Sequence, residues 1–279
     1  MPPRIPTPQD FSPSPFPPNS LTLTYPNPPE STTSILLLFH GLGDTHAPFA
    51  SFARNLALPG VLAIAVRGVN PLPAALFPPS PSPTEGGGGE AGGYHWGDDL
   101  RIGGSAGGEG LGLDADPGFN KAKGWIMDRL IGEVLVGKCG WSFGDVMLFG
   151  FGQGGSLALG LAAGVGKGRV RVEEVQVEVG GGLGAEGAVF KGVVSVGGAL
   201  PASMVPSFSA REKAKTPVLV CCGRESEAVD EDAVEVLERE FEQVKVVRWK
   251  RASDGMPSNR EEALPMMQFF AERLRSGWL

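Results

Sequence analysis

Acyl transfer by a side chain needs a nucleophile, a base to take its proton, an acid to orient the base, and amide donors for the oxyanion. In this 279-residue chain the stretch spaced for the first of these is Val146 to Leu159. An apolar run (Val146-Met147-Leu148-Phe149) enters a glycine cluster (Gly150-Phe151-Gly152-Gln153-Gly154-Gly155), and an Ala/Leu-rich helical pattern follows. Strand, sharp turn and helix in that order can lift a reactive side chain to the top of a sheet. The residue at the centre of the turn is Gly152, which has none. A G-x-S-x-G spacing does occur at Gly103 to Gly107, around Ser105, but no strand precedes it and no helix follows. It reads as a coincidence of a glycine-rich segment. Ser156 falls one helical turn past Gly152, where a hydroxyl back-bonds to the preceding turn, and Ser195 lies inside an apolar strand pattern.

The remaining chemical groups are sparse. The histidines are His40, His46 and His95, all before the glycine turn. His40 and His46 sit in one glycine-containing loop, the first read as a packed ring and the second as a solvated polar residue. His95 could approach a pocket. The segment Gly223-Arg224-Glu225-Ser226-Glu227 offers Glu225 or Glu227 as an acid, against a plainer reading as solvated loop charges. Cys221 and Cys222 end an apolar run with Arg224 nearby and no histidine in sequence reach, which favours core packing over a reactive thiolate.

The elements that must position these groups alternate. Short apolar runs at Ser34–Phe39, Gly60–Val66, Gly144–Phe149, Phe190–Val196 and Pro217–Cys222 read as strands buried on both faces, with Lys245–Trp249 as a last strand. Leu21–Tyr25 reads as an edge strand. Helical spacing occupies Phe49–Leu58, Phe119–Val136, Gly155–Ala163, Asp230–Phe241 and Ser258–Leu274, the last with Ser258 or Asn259 as N-cap and Glu261 and Glu262 in its first turn. The pattern predicts an α/β fold, a mostly parallel sheet with helices on both faces. Such sheets hold their sites at the carboxyl ends of the strands. The loops after Phe39, Phe149, Val196, Cys222 and Trp249 should share that edge. Residues 1–20 are rich in Pro and Ser and predict a disordered or extended tail, leaving 21–279 as a single domain. Within it, a low-complexity loop spans about 71–113, with an ordered aromatic island at Tyr94-His95-Trp96-Gly97-Asp98. An alternating segment at about 168–187 predicts a hairpin-like insertion.

Composition narrows the function classes. The formal net charge is −7 and no Lys/Arg-rich run exists, which argues against a nucleic-acid binder. No apolar run approaches the roughly 18–20 residues of a membrane span. The N-terminal residues lack the apolar core of a signal peptide. Three cysteines, two of them adjacent, make no disulfide framework and suit reduced thiols. The expectation is a cytoplasmic protein with no cofactor and no metal centre.

Three pieces together resemble the acyl-protein thioesterase / phospholipase-carboxylesterase family of α/β-hydrolases. They are the strand with His40-Gly41-Leu42-Gly43-Asp44-Thr45, the strand with Gly150-Phe151-Gly152-Gln153-Gly154-Gly155, and Thr216-Pro217-Val218-Leu219-Val220. Met256-Pro257 with the helix behind it fits the same plan. Tyr94-His95-Trp96-Gly97-Asp98 looks like the family's Trp-containing loop. The resemblance runs from about Ile35 to Leu274. It implies an α/β-hydrolase fold, a hydrolase of esters or acyl thioesters, and an oxyanion hole made by the N–H groups of Leu42 and Gln153. It also implies a pocket near His40, Gly41 and Trp96. It places the nucleophile at Gly152, where serine is absent, and an acid at or near Glu225. The base belongs between Lys250 and Pro257, a loop without histidine. The expectation is a catalytically impaired protein that binds an acyl or ester-like small molecule, or an acylated protein partner. The alternative is an active ester or thioester hydrolase with a displaced constellation, such as Ser156 or Ser105 with His95.

Overall fold

The structure, a computed structural model, describes residues 3–12, 17–73, 92–99, 102–104, 111–113, 116–165, 188–205 and 212–275. Seven strands form the central sheet: β1 (Leu21–Thr24), β2 (Ser34–Phe39), β3 (Val61–Val66), β4 (Val146–Phe151), β5 (Gly192–Val196), β6 (Val218–Cys222) and β7 (Val244–Arg248). Their spatial order is β1-β3-β2-β4-β5-β6-β7. All neighbours run parallel except β1, which pairs antiparallel with β3 at one edge. The continuous apolar runs are the buried strands: every residue of β2, β3, β5 and β6 is buried, while the edge strand β7 is half-exposed.

Alternation along the strands divides the core into two layers. Leu36, Leu38, Ala63 and Phe149 pack with α1 (His46–Leu56) and α5 (Arg260–Arg275). Ile35, Leu37, Phe39 and Leu148 face the other side with α3 (Gln153–Gly164) and the helix that starts as α2 (Asn120–Gly124). That helix continues from Trp125 to Lys138 with π-type bonding, and the Cys139 N–H reaches the carbonyl of Val134 at 3.0 Å. On the same side Leu237 of α4 (Glu231–Glu240) closes the layer. The cap of α5 is Asn259, whose side chain accepts the Glu262 N–H at 3.0 Å, and Glu262 in turn accepts the Ser258 N–H at 2.8 Å.

Two sequence expectations meet a different structure. Residues 3–12 are not a loose tail. Phe11 is 8% exposed in the core, the Arg4 carbonyl accepts the Trp141 indole N–H at 2.8 Å, and Tyr25 donates to the Pro6 carbonyl at 2.8 Å. Proline-rich composition describes the unfolded chain's stiffness; a single aromatic anchor with long-range hydrogen bonds overrides it. The Gly144–Phe149 strand begins two residues later and extends to Phe151, so the sheet itself carries the chain into the turn. The hairpin expected at about 168–187 lies outside the described residues. In the 71–113 loop Tyr94–His95 of the aromatic island pairs with Asn70–Pro71; Ile102–Gly104 pairs with Leu111–Leu113, so a short strand does precede Ser105, which the glycine-rich composition concealed.

Candidate functional site

The register brings the decisive loops together. Phe39 lies opposite Gly150 and Phe151 opposite Val196, so β2, β4 and β5 end side by side. Between β4 and α3 stands Gly152 at φ 51°, ψ −121°. A positive φ of this kind strains any residue with a Cβ. The backbone is pinned there by the Gly152 N–H, which donates to Val196 at 2.8 Å, and by the Gly152 carbonyl, which accepts from Ser156 at 3.0 Å.

The glycines of the turn have two different reasons to be glycine. A Cβ at Gly154 would overlap the carbonyl oxygens of Phe39 and His40, and one at Gly150 the carbonyl of Gly154. One at Gly198 would overlap the carbonyl of Gly152. These positions are closed by neighbouring backbone. Gly152 is open: no atom lies within 4 Å of where its Cβ would stand. At Gly152 the turn therefore combines a positive-φ backbone with open space and no side chain.

The two amides expected as donors come from the loop after β2 and from the start of α3. Gln153 is the first residue of α3, so its N–H has no partner within the helix. The Leu42 N–H makes no hydrogen bond among the described residues. Its loop is held firmly on either side of it. The Gly43 N–H donates to Tyr94 at 2.9 Å, the Tyr94 N–H donates to Asp44 at 3.0 Å, and a Cβ on Gly41 would lie 2.8 Å from the Phe151 ring. Trp96 couples the two donors' supports: its backbone N–H reaches Gln153 Oε1 and its indole N–H the His40 carbonyl, both at 2.8 Å.

His40 is spent on this framework. Its Nδ1–H donates to the Gly41 carbonyl at 2.7 Å, and its Nε2 accepts the Gly68 N–H at 2.8 Å. With both nitrogens occupied and burial pushing its pKa down to about 4, it is a neutral structural imidazole. His40 and Trp96 are both 0% exposed. Both hold neighbouring loops together through buried hydrogen bonds.

The loops expected to carry acid and base meet through other side chains. Between β7 and α5, in the loop without histidine, Asp254 turns inward. Its Oδ1 accepts the Gly223 N–H and its Oδ2 the Ser226 hydroxyl, each at 2.7 Å. The Asp254 side chain lies against Gly197, where an added Cβ would come within 2.9 Å of the Asp254 Cβ. Gly197 directly follows the residue that accepts from Gly152, so the carboxylate sits beside the turn. The two loops thus still join through a side-chain hydrogen bond. The loop after β7 supplies a carboxylate and the loop after β6 a hydroxyl. Glu225 takes no part: it is 65% exposed and paired with Arg224. Glu227 is exposed as well.

The other candidates are separated from this arrangement. Ser105 lies outside the described residues. Ser156 is in the first turn of α3, half-buried. Ser195 donates to the Gly198 carbonyl at 2.8 Å within the core. His46 is the first residue of α1. His95 is 4% exposed, its Nδ1 makes no hydrogen bond, and burial lowers its pKa. Cys221 and Cys222 are buried, and burial raises both thiols, Cys221 to about 12, against thiolate formation. Sequence reasoning missed Ser226 and the role of Asp254. The available signal was a hydroxyl and a carboxylate in the two loops where an acid and a base were sought.

Comparison with known proteins agrees with this frame. A serine hydrolase (FSH1) family model matches residues 145–260, from the start of β4 into α5. An uncharacterised hydrolase of Schizosaccharomyces pombe is 33% identical over 121 residues, 43% of this chain and 42% of that protein. The chain thus matches well under half of that relative's length. Among solved structures, Zea mays acyl-protein thioesterase 2 superposes with a TM-score of 0.57 at 15% identity, covering 91% of this chain and 98% of that one. The Bacillus cereus carboxylesterase gives 0.55 at 13% identity, covering 91% and 93%. At these identities the two structures show the fold, that of the α/β-hydrolases; the family match shows similarity to serine hydrolases over residues 145–260, and the yeast relative similarity to a hydrolase.

Proposed function

We propose that this chain is a hydrolase-fold protein that binds an acyl or ester-like ligand at the Leu42/Gln153 donors and does not turn it over by the serine mechanism. One observation carries the reading. Position 152 has the backbone of a nucleophile turn and open space above it, yet it bears no side chain. Asp254 in the base's loop supports it further, because a carboxylate already engaged by Gly223 and Ser226 is a poor replacement for an imidazole. Loss of the nucleophile alone costs about 10⁶ in turnover in a serine hydrolase, and loss of the base adds little because the groups act as a unit. What survives is the electrostatic part, two amides aimed at a carbonyl oxygen.

The test pairs turnover with binding. Purified protein is assayed on a short-chain p-nitrophenyl ester and an acyl thioester, and titrated calorimetrically with the matching ketone (sulfur replaced by methylene), which keeps the carbonyl and cannot be hydrolysed. The expected result is heat of binding with no turnover above a heat-killed control. The variant Gly152→Ser/Asp254→His should gain measurable hydrolysis, and Gly152→Ser alone little. Turnover by the unmodified protein, or labelling of a defined serine by a fluorophosphonate, would overturn the reading.

A further inference from the structure

A second concavity lies at the opposite edge of the sheet from Gly152. It encloses about 980 Å³, at the upper end of the range for ligand pockets. Its floor is apolar. Leu36 and Ala63 come from the sheet, Ala53 and Leu56 from α1, and Met267 and Leu274 from α5. The loop from Pro26 to Ser31 closes one side.

The charge at its rim is one-sided. Arg54 and Arg275 line it, and among the described residues no Asp or Glu does. In a chain with 31 acidic and 24 basic residues that absence is unexpected. Neither guanidinium is in a salt bridge among the described residues, and Arg54 only donates to the Ser51 hydroxyl at 2.7 Å. An apolar floor of this volume with two guanidiniums outside any salt bridge complements an anionic head on a long alkyl chain. A neutral lipid would leave the arginines unused, and a short anion would leave the floor wet.

We propose that this groove binds a free long-chain carboxylate, its alkyl chain between α1 and α5 and its head group on Arg54 and Arg275. The site is separate from the donors beside Gly152, and the inference stands without the function proposed there. The test is calorimetric titration of the full chain with dodecanoate below its micelle concentration, with dodecanol and butyrate as comparators. Dodecanoate should bind, and both comparators should bind at least about tenfold more weakly. Arg54→Ala/Arg275→Ala should weaken dodecanoate about tenfold, the loss of a charge-assisted contact. Ala271→Trp fills the groove from an exposed helix position; it should abolish binding with the thermal midpoint retained. Three results would overturn the proposal. One is no binding of dodecanoate. Another is dodecanoate binding that both variants leave unchanged. The third is co-sedimentation with phosphatidylserine vesicles without binding of free dodecanoate, which would make the face a membrane contact.

Discussion

Replacing Gly152 by serine adds a side chain where nothing stands in its way, but at φ 51°. The space makes the substitution possible and the dihedral makes it costly, about 1–3 kcal/mol for a non-glycine residue so placed. Gly152→Ser is therefore expected to fold with an unfolding free energy lower by that amount, and so a lower midpoint in urea. An unchanged midpoint would mean that the backbone had relaxed away from the turn. Asp254 is tied more tightly than a loop charge. Asp254→Ala strands the Gly223 N–H and the Ser226 hydroxyl together and should cost about 1–3 kcal/mol. Asp254→Asn keeps one acceptor and should cost less. Equal stability of the three proteins would count against a structural role for this pair. Gly152 was readable in the sequence because the turn around it has a fixed spacing. The Asp254–Ser226 bond was not, because two loops about 28 residues apart meet only once β6 and β7 pair.

At the scale of elements, the alternation of apolar runs and helical spacing was enough to place every strand of the central sheet and five of its helices. Continuous burial on both faces writes itself as continuous hydrophobicity in β2, β3 and β6. The N-terminal segment was misread because composition reports propensity and not contacts. Phe11, Arg4 and Pro6 reach the body through partners more than 15 residues away in sequence, which no local pattern announces. Deleting residues 1–12 should therefore lower stability, by about 2–3 kcal/mol for the Phe11 side chain alone. A thermal melt of the shortened chain checks this, and a disposable tail would leave the midpoint where it was.

For the whole molecule, the buried neutral His40 sets a sign on the pH dependence of stability. Its pKa lies near 4 in the fold against 6.5 for the free group. Between those values the unfolded chain takes up a proton that the folded one refuses. Stability from this group is thus complete above pH 6.5 and is lost as pH falls toward 4, by about 3 kcal/mol in all. His95, depressed in the same direction, adds to the slope. Urea unfolding at several pH values should show the decline, and His40→Gln should flatten it. The vacancy at Gly152 has a kinetic meaning as well. Gly152 offers no side chain to acylate, so under the proposed function a ligand at the Leu42 and Gln153 amides leaves by dissociation and never waits for deacylation. Residence time there is set by the off-rate alone. Reagents that mark hydrolases by trapping their serine would pass this turn unrecorded, even while competing for its ligands.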